Sequence, residues 1–213
     1  MIYDFIAYAP KDYHKDIGRV YNKYMELLSS DEDWACFLDH DAMFTTADWY
    51  TQLEDIIAEN PEYGLLTAIT NRTGNTEQRV ANIDYDNHNI CYHRRIGTMA
   101  QEQNRTTVTN VSKTRTISGV VMLVKKAVWR KAGGFTGGFL KVDNDFHRRV
   151  VNAGGKVGIM KGVYVYHWYR FENSDLKPLP ISQIKCHQRK LQRFVYQCAT
   201  KMYRYLLALF KRE

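Results

Sequence analysis

The feature that most constrains this 213-residue chain is the alternation of short apolar runs with segments whose apolar residues recur every three to four positions. Residues 2–9 are aromatic and apolar and stop at Pro10, which reads as a buried strand. Residues 16–28 place Ile17, Val20, Tyr21, Tyr24, Leu27 and Leu28 on a helical period. A strand over 34–38 halts abruptly at Asp39-His40-Asp41. A helix over 46–59 follows, with Trp49, Leu53, Ile56 and Ile57 on one face and Asn60-Pro61 closing it. A strand over 64–70 then gives way to a polar stretch, 71–116, in which periodicity is lost. A span of that length reads as a functional or mobile loop, here a lid. Beyond it come a strand over 117–125, a helix over 126–132, a turn at Gly133-Gly134, a helix over 144–152 and a strand over 157–167. Such an order predicts an α/β domain with a mostly parallel central sheet flanked by helices.

The last stretch differs in kind. Residues 1–180 read as one compact domain and 181–213 as a long basic amphipathic helix. Leu191, Phe194, Val195, Cys198, Met202, Leu206 and Leu209 fall on one face of that helix, and Lys190, Arg193, Lys201 and Arg204 on the other. It suits packing on the domain or on a second subunit, or an in-plane position at a membrane surface. The longest apolar runs are far too short to cross a bilayer. The N-terminus shows no secretion signal, and the four cysteines stand far apart with no Cys-x-x-Cys pair, which favours the reducing cytoplasm. The three Asn-x-Ser/Thr sequons, at Asn71, Asn104 and Asn110, are then chance occurrences. The expected location is cytoplasmic, or peripheral at the inner face of a membrane. A net charge of +7 calls for an anionic partner, and nucleic acid, an acidic membrane and a nucleotide diphosphate all qualify.

Three places carry chemistry. Asp39-His40-Asp41 lies at the carboxyl end of a buried strand, where α/β sheets bind ligands. Two carboxylates two residues apart can both turn to one hard divalent cation, Mg2+ or Mn2+, which can bridge to phosphate. Asp-x-Asp is also a common turn, and its position after Trp34-Ala-Cys-Phe-Leu38 is what favours a site. Asp143-Asn144-Asp145 precedes a helix, so these carboxylates can cap it, or Asp143 can act as general base toward an acceptor hydroxyl. His167 ends the last strand among aromatics. Such a histidine is often a packed core residue, and it can equally complete a metal site begun by carboxylates.

Together and in order, these segments resemble the GT-A fold glycosyltransferases, in particular glycosyltransferase family 2. The resemblance is carried by Trp34-Ala-Cys-Phe-Leu-Asp-His-Asp41, Gly119-Val-Val-Met-Leu-Val-Lys-Lys126, Trp129-Arg-Lys-Ala-Gly-Gly-Phe135, Val142-Asp-Asn-Asp-Phe-His-Arg-Arg149 and Val165-Tyr-His167. It implies that Asp39 and Asp41 hold the metal and donor diphosphate, that Asp143 is the base, and that His167 is a metal ligand. It also implies an inverting transfer from a nucleotide diphosphate sugar, a UDP-sugar above all, to a glycan or lipid-linked acceptor, with no nucleic-acid partner. Tyr8-Ala-Pro10 matches the family's first nucleotide-binding turn, and Arg72 is a cation for the donor, with Arg79 and Arg170 as further candidates. Two departures stand out. The chain passes almost directly from Pro10 to the helix before Asp39, where family members carry a further helix and strand that read the base. Val142 stands where the family often has Glu. The rival readings are a non-catalytic sugar-nucleotide or glycan binder derived from a transferase and, more distantly, a basic nucleic-acid-binding protein.

Overall fold

A computed structural model of the chain describes residues 1–6 and 16–168. Tyr8, Pro10, Arg170 and the expected C-terminal helix lie outside the described residues. Seven strands form one sheet: β1 (Ile2–Ile6), β2 (Trp34–Leu38), β3 (Ala42–Phe44), β4 (Tyr63–Thr70), β5 (Val108–Asn110), β6 (Val121–Lys125) and β7 (Lys156–His167). Their order is β1-β2-β6-β4-β7-β3, with β5 pairing β7 off this path. The flanking helices are α1 (Ile17–Leu27), α2 (Trp49–Glu59), α3 (Ile90–Asn104), α4 (Lys126–Lys131) and α5 (Val142–Asn152). No helix among the described residues is long and apolar enough to cross a membrane.

The α/β class is as expected, but the sheet is mixed rather than mostly parallel. Only β1–β2 and β4–β7 are parallel, whereas β2–β6, β4–β6, β3–β7 and β5–β7 are antiparallel. A parallel neighbour needs a crossover, usually helical, between the strands. β6 instead starts at the edge where β2 and β4 end and runs back between them, so it meets both neighbours antiparallel. Apolar periodicity reports a strand and carries no direction. Four strands, β1, β2, β4 and β7, still share one direction, and their carboxyl ends form a single edge.

Alternating side chains bury both faces of the sheet. Phe37, Leu65, Met122 and Val124 pack with Tyr21 and Met25 of α1 and Phe146 and Val150 of α5 on one face. Cys36, Leu66, Val121 and Leu123 pack with Leu53 and Ile56 of α2 on the other. Phe135 and Phe146 stack with centroids 3.9 Å apart, and this pins α5 to the core.

The span 71–116 also departs from the sequence reading. Nearly half of it is regular: a 3-10 turn over Thr76–Gln78, the 15-residue helix α3, and β5. Asn89 starts α3 by accepting from the backbone N–H of Cys91 at 2.9 Å, an N-cap bond. The fully buried face of α3 consists of His93 and Gly97, so no apolar stripe marks it in the sequence. Gly97 is required by close approach, since a Cβ there would meet Thr45 Oγ1 at 2.0 Å. His93 is satisfied inside by the Tyr164 hydroxyl at 2.7 Å and the Asn87 carbonyl at 2.6 Å.

Candidate metal centre

The apolar run Trp34–Leu38 stops at the carboxyl edge because the chain must turn there. The N–H of Asp39 donates to the Val120 carbonyl at 3.0 Å, and the N–H of Ala42 donates back to the Asp39 carbonyl at 3.0 Å. This turn carries the chain from β2 to β3, past the ends of the intervening strands. β3 then pairs antiparallel with β7, with Ala42 opposite His167. The Trp168 N–H donates to the Asp41 carbonyl at 2.9 Å, so Asp41 is fixed one residue beyond His167 in the ladder. Two ligand types separated by more than a hundred positions in sequence thus meet through three residues of strand pairing.

Their side chains converge. His167 Nε2 lies 3.3 Å from Asp41 Oδ1 and 3.9 Å from Asp39 Oδ2. One donor atom from each of the three residues falls within 4.8 Å of the other two. The imidazole is oriented from behind: Nδ1 sits 2.8 Å from the Arg72 carbonyl, an acceptor only, so Nδ1 carries the proton and donates. In the neutral ring Nε2 then bears the lone pair, facing the carboxylates, which is the tautomer a metal-ligating histidine needs.

Asn71 holds the whole edge together, a residue to which the sequence reading gave no role at the site. It is buried, and its Oδ1 accepts from the His167 N–H at 2.8 Å while its Nδ2 donates to the His167 carbonyl at 3.1 Å. The Thr70 hydroxyl also donates to Oδ1, at 3.2 Å, and Nδ2 reaches the Tyr85 carbonyl at 3.3 Å. A carboxamide has the donors and acceptors for this, and here it imitates one further rung of the β4–β7 ladder. Its only signal in the sequence is a position just past a strand end.

Charge in the cluster is frustrated, as ligand sites are. Burial drives the Asp39 carboxyl up to about 7, with Asp41 and Asp143 adding to the rise and His167 opposing it. The hydrogen bond from His167 holds Asp41 below the usual carboxylate range. Burial pulls His167 down, but its bonds to Asp41 and the Arg72 carbonyl and the two carboxylate charges outweigh it, and its pKa is raised. A divalent cation would relieve the two like charges, and the three residues offer it two carboxylate oxygens and one imidazole nitrogen.

Asp143 stands in the first turn of α5, where its charge reaches both Asp39 and Tyr21. Oδ2 accepts from the Gly119 N–H at 2.7 Å, and Oδ1 accepts from the Asn144 backbone N–H at 2.8 Å. Lys141 enters this turn with φ 65, the left-handed region. Asp145 is a structural residue: it accepts from the Thr136 hydroxyl and from Arg149 Nε, both at 2.9 Å. Arg72 lies at the same edge, its guanidinium paired with Asp86 and 5.7 Å from the centre of the Tyr85 ring. Arg79 is turned to the Thr73 carbonyl, to which its Nε donates at 2.7 Å. The structure therefore brings Asp39, Asp41, His167, Asp143 and Arg72 to one edge. No protein-family model matches this sequence, and no curated protein matches it.

Proposed function

We propose that this chain is a metal-dependent, inverting glycosyltransferase of the GT-A type, similar to family 2, that moves a sugar from a nucleotide diphosphate donor to a hydroxyl acceptor. A UDP-sugar is the expected donor and a glycan or lipid-linked hydroxyl the expected acceptor. The observation that carries the reading is the convergence of Asp39, Asp41 and His167 at the strand edge that also bears Asp143. Asp39, Asp41 and His167 would hold Mn2+ or Mg2+. The ion, when bound, supplies Lewis-acid neutralisation of the departing diphosphate.

The remaining steps belong to the chain's own side chains. Asp143 takes the proton of the acceptor hydroxyl as that oxygen attacks the anomeric carbon from the face opposite the diphosphate. The bond from the anomeric carbon to the diphosphate oxygen breaks, and its electron pair leaves with the nucleotide. The Gly119 N–H and the backbone and side-chain N–H groups of Asn144 fix the carboxylate's direction; Oδ1 accepts two bonds, and Oδ2 keeps a lone pair for the incoming proton. Arg72 contributes a cation at the donor side.

The reading is tested by following nucleotide-sugar turnover with Mn2+ and identifying the anomer of the product. Inversion is expected, and Asp143→Asn is expected to lower turnover by about a hundredfold or more while leaving nucleotide binding intact. Retention of configuration, or full activity in Asp143→Asn, would overturn the assignment of Asp143.

A further inference from the structure

Away from the metal centre, α3 and the segment 79–83 enclose a cleft of about 430 Å³, floored by Ile69 of β4. That volume falls in the range of small-molecule sites, and a single sugar unit fits in it. None of Asp39, Asp41, Asp143 and His167 lines it.

The lining has a distinct chemistry. Ile69, Val80, Ile83 and Ile96 supply an apolar floor. Met99 also lines the cleft and leaves half of its surface in water, a flexible apolar side chain at the rim. Asn82, Gln103 and Asn104 add three carboxamides, each able to donate to and accept from a hydroxyl. Asn82 sits at φ 58, one of two non-glycine residues in the left-handed region among those described. Asparagine adopts this conformation readily, and here it makes the turn at 81–82.

Charge completes the picture. Arg79 and Lys161 both line the cleft, and no aspartate or glutamate does. Neither cation takes part in an ion pair among the described residues. Lys161 is half-buried on β7 and pairs with no carboxylate among the described residues. An apolar floor, hydroxyl partners and two cations suit a pyranose ring bearing an anionic group such as a carboxylate.

We propose that this cleft is a second binding site, for an acidic sugar unit, with Lys161 and Arg79 taking the carboxylate. The carboxamides meet the hydroxyls, and the isoleucines take the apolar face of the ring. The site is independent of the transferase reading and stands or falls without it.

The test is a two-dimensional amide NMR titration of the full chain with methyl β-D-glucuronide. Methyl β-D-glucoside serves as the neutral twin and inorganic phosphate as the bare anion. The glucuronide is expected to shift the amides of Ile83, Ile96, Ala100 and Lys161 saturably. The glucoside and phosphate should each bind about tenfold more weakly, the worth of one bond to a charged group. Lys161→Gln, a half-buried surface change whose amide spectrum also reports folding, should bring the glucuronide down to the glucoside's level. A second variant, Gln103→Ala, should weaken both sugars and leave phosphate unchanged. Equal binding of glucuronide and glucoside, shifts that map elsewhere, no shifts, or an unchanged response in Lys161→Gln would overturn the proposal.

Discussion

Asn71→Ala should separate the scaffold of the metal centre from its ligands. The carboxamide clasps the backbone of His167 from both sides, at 2.8 and 3.1 Å, and His167 is only 5% exposed. Alanine removes two well-formed bonds of about 1 kcal/mol each and leaves a buried N–H without a partner, a further 1–3 kcal/mol. Water entering the space of the lost side chain recovers part of this, so a net destabilisation of about 2–4 kcal/mol follows. Urea unfolding in EDTA reads that loss without interference from a bound ion. The same freedom lets the His167 ring turn away from Asp41, and Mn2+ affinity, followed by electron paramagnetic resonance, should fall about tenfold to a hundredfold. Asn71→Asp is the sharper control, since it still accepts from the His167 N–H but sets a carboxylate oxygen against the His167 carbonyl. A stability change under about 0.5 kcal/mol together with unchanged Mn2+ affinity would refute the reasoning, because surface substitutions without structural role fall in that range.

Other expectations concern the base, the core and pH. At Gly119 an added Cβ would lie 3.0 Å from Asp143 Cβ and 3.4 Å from its Oδ2. Gly119→Ala should therefore displace the carboxylate, lowering transfer about tenfold in a steady-state assay while nucleotide affinity measured by calorimetry stays the same. Phe146 is fully buried against Phe135, and Phe146→Ala should cost about 3–5 kcal/mol in a urea titration. Burial holds the pKa of His93 below its ordinary value, so the unfolded chain takes up a proton that the folded chain refuses as pH falls through about 6.5. Its contribution is full above that pH and is lost on acidification. Between pH 7.5 and 5.5 the wild type should lose stability more steeply than His93→Gln, by up to about 1.4 kcal/mol per pH unit. Parallel slopes in the two proteins would show that His93 titrates normally.

What the sequence made legible follows from which interactions are local. Asp39 and Asp41 stand out because an apolar strand cannot continue through them, and the break falls at a sheet edge. His167 is marked in the same way, as the last residue of a long apolar strand. Asp143 is visible through the helix it opens. Strand direction is different in kind: β6 looks like any other buried strand, and its antiparallel course depends on the edge at which it enters. The helix α3 escaped notice because His93 and Gly97, rather than leucines, fill its buried face. Asn71 could not be found because its partner is 96 positions away and the bond is made to backbone, which carries no side-chain signature. The cleft lined by Lys161 was equally hidden, since it is assembled from β4, α3, β7 and the loop at 79–83.

The most direct test of the central claim is calorimetric titration of UDP into the wild-type chain and into Asp41→Ala, each with and without Mn2+. The account predicts binding that requires the ion in the wild type and disappears in Asp41→Ala, because Asp41 would be one of the residues holding that ion. Metal-independent binding, equal binding in Asp41→Ala, or no binding of UDP or any other nucleoside diphosphate would contradict it.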